Sequence, residues 1–250
     1  MSTVLWISGA SSGIGAALVA TVPFDDVLVF DISRSGGTAG TTHVTADLGD
    51  PDTWPTVAAH MRTTMADVGP DRALFIHCAA TLQPIGPVHK VSGPRNDGAY
   101  TRQVLLNSAA PQVLGAAFVA AVTMTDSVTD ATVVMLSSGA ATRVYEGWSA
   151  YGAGKAAVDH WVRTVGSEQT GRTRPVTVSA VSPGVVATGM QAQIRREQPD
   201  DFPAVEKFKQ LHADDNLTSP PDAAQGIWHL VQRDDVANGS VIDLRTLNES

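Results

Sequence analysis

Val4-Leu5-Trp6-Ile7-Ser8-Gly9-Ala10-Ser11-Ser12-Gly13-Ile14-Gly15 is the stretch on which the fold turns. An apolar, strand-forming run stops at a glycine, and two more glycines follow where a helical pattern begins, over residues 13–21. A strand that feeds a helix through such a turn presents the first amides of that helix at the positive end of its dipole, where the pyrophosphate of a dinucleotide binds. Gly9 permits the tight turn, and Gly13 and Gly15 let phosphate and neighbouring backbone come close. Ser11, Ser12 and Ile14 complete the candidate cradle. The spacing is G-x-x-x-G-x-G, not the G-x-G-x-x-G of the general dinucleotide fingerprint, and a plain glycine-rich turn between strand and helix reads the same way.

The rest of the chain repeats this unit. Short runs rich in β-branched residues at 4–8, 27–31, 43–46, 73–77, 132–137, 176–181 and 240–243 alternate with helical patterns at 13–21, 54–65, 100–122, 150–168 and 222–232. That alternation predicts the α/β class: a single Rossmann-type domain over residues 1–250, doubly wound around a seven-stranded parallel sheet. Residues 190–216 break the rhythm. Charged, with helical patches, and placed between the sixth and seventh strands, they predict a helical substrate lid.

With 250 residues and 43% hydrophobic content, the chain has ample material for a core. A formal charge of -8 with no basic stripe excludes nucleic acid as an expected partner. The single cysteine, Cys78, leaves no internal disulfide. The N-terminal residues run straight into the first strand without a charged leader, and no apolar run approaches the roughly 18 residues of a membrane span, so a cytoplasmic protein without membrane contact is expected. The seven histidines show no ligand spacing, and no metal is expected.

Chemistry enters with Tyr151 and Lys155, in Ser149-Ala150-Tyr151-Gly152-Ala153-Gly154-Lys155, and with Ser138 thirteen residues before the tyrosine. Spacing i to i+4 puts phenol and ammonium on one helix face, where the cation lowers the phenol from its free pKa of about 10 and lets it shuttle a proton. Strand alternation lets only one of Ser137 and Ser138 face the same site. After the second expected strand comes Phe30-Asp31-Ile32-Ser33-Arg34-Ser35. An acid here bonds the adenosine ribose of NAD(H), whereas an arginine accommodates the 2'-phosphate of NADP(H). Asp31 falls inside the strand and Ser33 and Arg34 at its end, which favours NADP(H). Asp47-Leu48 is placed for the adenine amino group, and an aspartate capping the next helix would look the same.

The glycine loop, Asp47-Leu48, Asn107 within Leu106-Asn107-Ser108-Ala109-Ala110-Pro111, Ser138, Tyr151 with Lys155, and Pro183-Gly184-Val185-Val186-Ala187-Thr188 follow one another in the order of the short-chain dehydrogenase/reductase family, which the chain resembles over nearly its whole length. Ser137-Ser138-Gly139-Ala140-Ala141, Gly147-Trp148-Ser149-Ala150-Tyr151, Met190-Gln191-Ala192-Gln193-Ile194-Arg195 and Asn238-Gly239-Ser240-Val241-Ile242-Asp243 resemble the branch that contains sepiapterin reductase and benzil reductase. The resemblance implies hydride transfer from NADPH to a substrate carbonyl, with Tyr151 as proton donor and Ser138 bonded to the carbonyl oxygen. It further implies that Lys155 binds the nicotinamide ribose and depresses the tyrosine pKa, and that Asn107 binds a water linking Lys155 to solvent. Pro183, Gly184, Val186 and Thr188 would hold the nicotinamide end, and Ala79 would lie beside the cofactor path. Two departures stand out. His77-Cys78-Ala79-Ala80 replaces the family's usual Asn-Asn-Ala-Gly, and Ser12 stands where many NADP-dependent relatives carry a basic residue, which leaves the 2'-phosphate to Arg34.

Tyr145, Trp148, Met190 and Gln191 flank the catalytic motifs and predict an apolar substrate pocket, with Ser138 and Tyr151 at its reacting end. Trp148 and Met190 read equally well as core residues. Asp243 matches the acidic position that anchors the pterin in sepiapterin reductase. The function expected is an NADPH-dependent reductase of a small carbonyl compound such as a vicinal diketone. An NAD-dependent alcohol dehydrogenase, with Asp31 at the ribose, and a non-catalytic NADP(H)-sensing protein are the alternatives. The resemblance also implies a homodimer or homotetramer built on helices 100–122 and 150–168, with Ala116, Val119, Ala120, Val158 and Trp161 on their outward faces.

Overall fold

In the computed structural model, which describes residues 1–93 and 96–249, seven strands form one parallel sheet in the order β3-β2-β1-β4-β5-β6-β7. They are β1 (Thr3–Ser8), β2 (Val27–Ser33), β3 (Thr42–Thr45), β4 (Arg72–His77), β5 (Asp130–Leu136), β6 (Thr177–Ser182) and β7 (Val241–Asp243). Every expected strand is present. β2 runs to Ser33, two residues past the expected end, because Ile32 and Ser33 pair with Val44 and Thr45 of β3.

Helices cover both faces, so the central strands bury alternate residues on opposite sides and read as continuous apolar runs. Val4 and Trp6 of β1 join the core under α2 (Trp54–Val68), α5 (Ala110–Thr123) and α6 (Ser149–Glu168), while Leu5 and Ile7 join the core under α1 (Gly13–Ala20) and α9 (Pro220–Val231). α2 outruns its expected end at 65 and stops where Gly69 adopts the left-handed conformation, φ 58°. The short α3 (Val88–Val91) lies in the connection after β4.

The helix expected at 100–122 is continuous but not uniform. α4 (Asp97–Val104) passes through a π-helical turn, Leu105–Ala109, into α5. Pro111 has no N–H to give to the carbonyl four residues back, that of Asn107, and a π-turn at this point absorbs the mismatch. The joined helix, Gly98–Thr123, is long and apolar enough by length and composition to cross a membrane, with a mean hydropathy of 1.5, contrary to the sequence expectation. Its apolar character has a core explanation: Leu114, Phe118, Ala121 and Val122 pack into the main core. The faces expected to be outward divide accordingly. Ala116 and Ala120 are exposed and Val119 and Trp161 half-buried, but Val158 is a core residue.

Residues 190–216 hold the helical content expected of them. α7 (Gly189–Ile194) and α8 (Val205–Ala213) enclose a third apolar cluster in which Ile194, Phe202 and Phe208 pack on Leu82, Trp148 and Tyr151. The segment is moored at its base, where Val186 and Thr218 form an isolated parallel bridge.

Candidate active site

The sheet order reverses between β1 and β4, and doubly wound sheets bind ligands beyond the carboxyl ends of strands at such a switch point. A cleft of about 970 Å³ opens there. Its floor is the glycine loop. Gly9 has φ 70°, and a Cβ on it would stand 3.0 Å from the Ala79 backbone. Gly13 has φ 56° and faces Thr188, while a Cβ on Gly15 would meet the Gly9 carbonyl oxygen at 2.3 Å. Side chains at Gly9 and Gly15 would collide with neighbouring backbone, so the glycines keep the turn tight and leave the first amides of α1 open to the cleft, a cradle that fits the pyrophosphate of a dinucleotide.

Gly9, Ser11, Ser12, Gly13, Ile14 and Gly15 line the cleft with Ser33, Arg34, Asp47 and Leu48 at one end. Ala79, Pro183, Gly184, Val186 and Thr188 line its middle. Ser138, Tyr145, Trp148, Tyr151, Lys155, Met190 and Gln191 line the other end. Asp31, by contrast, is fully buried and is not among the described lining residues.

α6 carries Tyr151 and Lys155 one turn apart, with the ammonium 5.9 Å from the phenol ring centroid. The Lys155 Nζ donates to the carbonyl of Leu136 at the end of β5 over 2.6 Å. Burial brings its pKa down to about 8, against the pull of Cys78 and Asp159. Burial also raises the Tyr151 phenol, and a hydrogen bond with the Ser138 hydroxyl draws it part of the way back. The expected lowering of the phenol is therefore corrected: desolvation outweighs the Ser138 hydrogen bond, and the tyrosine is held in its protonated form. Both serines line the cleft, contrary to the expectation that only one would face it, because β5 ends at Leu136 and strand alternation does not reach them, but their partners differ. Ser137 is tied to Asp159, whereas Ser138 accepts from the Ala140 amide at 3.2 Å and meets the phenol.

Long-range or neighbouring partners hold three further residues of the expected site, and the expectations for two of them, Asp47 and Asp243, are corrected by those partners. Asn107 lies outside the cleft lining, with its amide committed to one backbone site: Oδ1 accepts from the Thr81 N–H at 2.9 Å and Nδ2 donates to the Thr81 carbonyl at 2.7 Å. The Asn107 carbonyl, to which Pro111 can give no helical hydrogen bond, packs against α6 beside Gly154. Asp47 neither caps a helix nor stands free for adenine, because both its oxygens accept from Arg102 Nη2, at 2.5 and 2.7 Å. Burial pushes the Asp47 carboxyl up, but Arg102 and the Gly49 amide more than offset this and hold it below the usual range. Asp243 does not line the cleft, because Arg245, two residues on, binds both its oxygens.

Other residues of the site carry no sequence signal. Ser8 Oγ accepts from the amides of Cys78 and Ala79, at 3.1 and 3.2 Å, and contacts His77 Nδ1 at 3.0 Å, so a serine on β1 holds the turn that asparagines usually hold. His77 is buried, and desolvation, helped by the Lys155 charge and partly opposed by the nearby Ala79 backbone, brings its pKa down to about 3. Cys78 lines the cleft with its thiol pushed up to about 12 by burial, which makes it a poor nucleophile. Among the described residues no group of three or more His, Cys, Asp or Glu is arranged to hold a metal.

The short chain dehydrogenase family model matches residues 3–199. Benzil reductase ((S)-benzoin forming) from Bacillus subtilis is 30% identical over 239 residues, covering 96% of this chain and 97% of that protein. Its namesake from Bacillus cereus is 29% identical over 249 residues, covering 94% and 96%. Sepiapterin reductase from Mus musculus is 34% identical over 112 residues, 45% of this chain and 41% of that one. Among solved structures, a short chain dehydrogenase/reductase from Saccharomyces cerevisiae superposes with a TM-score of 0.81 at 23% identity, covering 98% of this chain and 97% of that one.

Proposed function

Because the chain belongs to the short chain dehydrogenase family, whose members are oxidoreductases, we propose that it reduces a carbonyl compound to an alcohol with NADPH. The observation that carries this reading is the group formed by half-buried Ser138 with buried Tyr151 and Lys155 at one end of a dinucleotide-sized cleft. Bound along that cleft, NADPH would supply the hydride. Gly9, Ser11, Ser12, Gly13, Ile14 and Gly15 hold the pyrophosphate, Arg34 the 2'-phosphate, Lys155 the nicotinamide ribose, and Pro183, Gly184, Val186 and Thr188 the carboxamide end. Ser138 and Tyr151 bind the substrate oxygen, which fixes the carbonyl in place and stabilises charge as it develops there. Tyr151, kept protonated by burial, gives its proton to that oxygen. Lys155 returns a proton to the phenol, drawing on a water held by the Asn107 carbonyl.

Arg34 in the lining and Asp31 outside it support NADPH over NADH. The names of the Bacillus relatives make benzil the first substrate to try, with residues 190–216 as the lid over it. The exposed small residues Ala116 and Ala120, beside half-buried Val119 and Trp161, support a dimer or tetramer through α5 and α6. The test offers benzil and 1-phenyl-1,2-propanedione with NADPH and separately NADH, following loss of the reduced nicotinamide by absorbance, with Tyr151→Phe as control. Consumption of NADPH that the variant loses by a factor of about 10² or more is expected. Full turnover by the variant would refute the proton-donor role.

A further inference from the structure

Acidic residues outnumber basic ones 25 to 17 in this chain, yet the described residues lining the cleft include six cations, Arg34, Arg102, Arg143, Lys155, Lys207 and Arg245, against one carboxylate, Asp47. Arg34 and Lys155 serve the cofactor in the reading above, and Arg102 is spent on Asp47. Arg143, Lys207 and Arg245 remain, all towards the substrate end, and no step of the reduction uses them.

These three come from separate parts of the chain: the loop after β5, helix α8 and the segment after β7. Lys207 and Arg245 meet at Tyr145, and Arg143 stands two residues before it in the chain. Lys207 Nζ donates to the Tyr145 hydroxyl at 3.1 Å and lies 5.3 Å from its ring centroid. Arg245 acts electrostatically on the same tyrosine, and Arg143 and Arg245 both act on Asp243. Asp243 neutralises one of the three through its pairing with Arg245, so the rim keeps an excess of two positive charges. Below the rim the wall is aromatic: Trp148 and Phe208 line the cleft with their rings 5.5 Å apart. The Trp148 indole N–H is buried without a hydrogen-bond partner among the described residues, although such a donor is normally satisfied.

Cations held beside a low-dielectric wall focus an attractive field on an anion. Resting on the reductase reading, we infer that the substrate is a carbonyl compound bearing a carboxylate, whose apolar body lies on Trp148 and Phe208 and whose carboxylate meets Arg143 and Lys207. The Asp243 carboxylate is taken up by Arg245, so it does not oppose an anion at the rim.

The test compares benzoylformate and 4-benzoylbutyrate with their ethyl esters, which differ chiefly in charge, at low and high salt. Raising salt from about 0.02 to about 0.5 M shortens the screening length from about 20 to about 4 Å. At least one acid should exceed its ester by roughly tenfold in kcat/KM at low salt, with the preference falling towards parity at high salt and in the Arg143→Gln, Lys207→Gln double variant. Reduction of esters and diketones without preference for either acid overturns the anionic substrate and leaves the reductase reading standing. If nothing is turned over, tryptophan fluorescence titrations with phenylacetate and phenylacetamide decide the matter. Tighter, rim-dependent binding of the acid upholds the inference without the reductase reading, and equal binding overturns it.

Discussion

His77 makes the stability of this protein depend on pH in a way that one variant isolates. Its ring is buried, its Nδ1 is paired with Ser8 and its Nε2 has no hydrogen-bond partner among the described residues. Burial lowers the pKa from 6.5 to about 3. Between these two values the unfolded chain binds a proton that the folded protein refuses, so stability is present above pH 6.5 and is lost as pH falls towards 3. For one such group the loss from pH 7 to pH 5 is about 2 kcal/mol, and to pH 4 about 3 kcal/mol, a large share of the 5–15 or so kcal/mol of a typical domain. Other titrating groups contribute as well, so the comparison is with His77→Asn, which installs the amide that the family usually carries here. Urea unfolding at pH 7 and pH 5 should show the wild type losing about 2 kcal/mol more than the variant over that interval. A ring proton signal from His77 that does not titrate between pH 7 and pH 4 should accompany it. Equal losses in both proteins would refute the argument, because they would mean that the folded protein accommodates a charged His77.

Arg34→Ala should raise KM for NADPH by about tenfold, the lower end for a charge-assisted hydrogen bond given that Arg34 is exposed, with little change for NADH; an equal effect on both would show that the loop does not meet the 2'-phosphate. Lys155 has its ammonium form below a pKa of about 8, so the rate of reduction at saturating substrate should fall as pH rises through that value, and a flat profile to pH 9 would remove Lys155 from the proton path. Gly15→Ala drives a Cβ to 2.3 Å from the Gly9 carbonyl oxygen and 2.9 Å from the Ala10 Cα, both backbone atoms that cannot step aside alone. A stability loss of about 1–3 kcal/mol in urea unfolding is expected, together with weaker cofactor binding by fluorescence, and retention of both would show that the loop has slack.

The strand and helix periods, the glycine loop and the order of motifs were legible in the chain because each states a local backbone requirement. Trp6 and Ile7 had to face opposite sides of a sheet buried on both, and Gly9, Gly13 and Gly15 mark where a Cβ has no room. Tyr151 and Lys155 share a helix face by spacing alone. Pairing of polar groups was not legible. Asp47 finds Arg102 from 55 positions away, Asn107 finds Thr81 from 26, and Lys155 finds the Leu136 carbonyl from 19. Lys207 reaches Tyr145 from 62 positions away, and Arg143 and Arg245 join it from other parts of the chain. Desolvation belonged to the same class, since the direction of the Tyr151 shift depends on what packs over the phenol rather than on the lysine four residues away. Local sequence determines where a backbone can go, whereas the partner and the charge of a side chain depend on which distant elements the packed sheet and helices bring to one place.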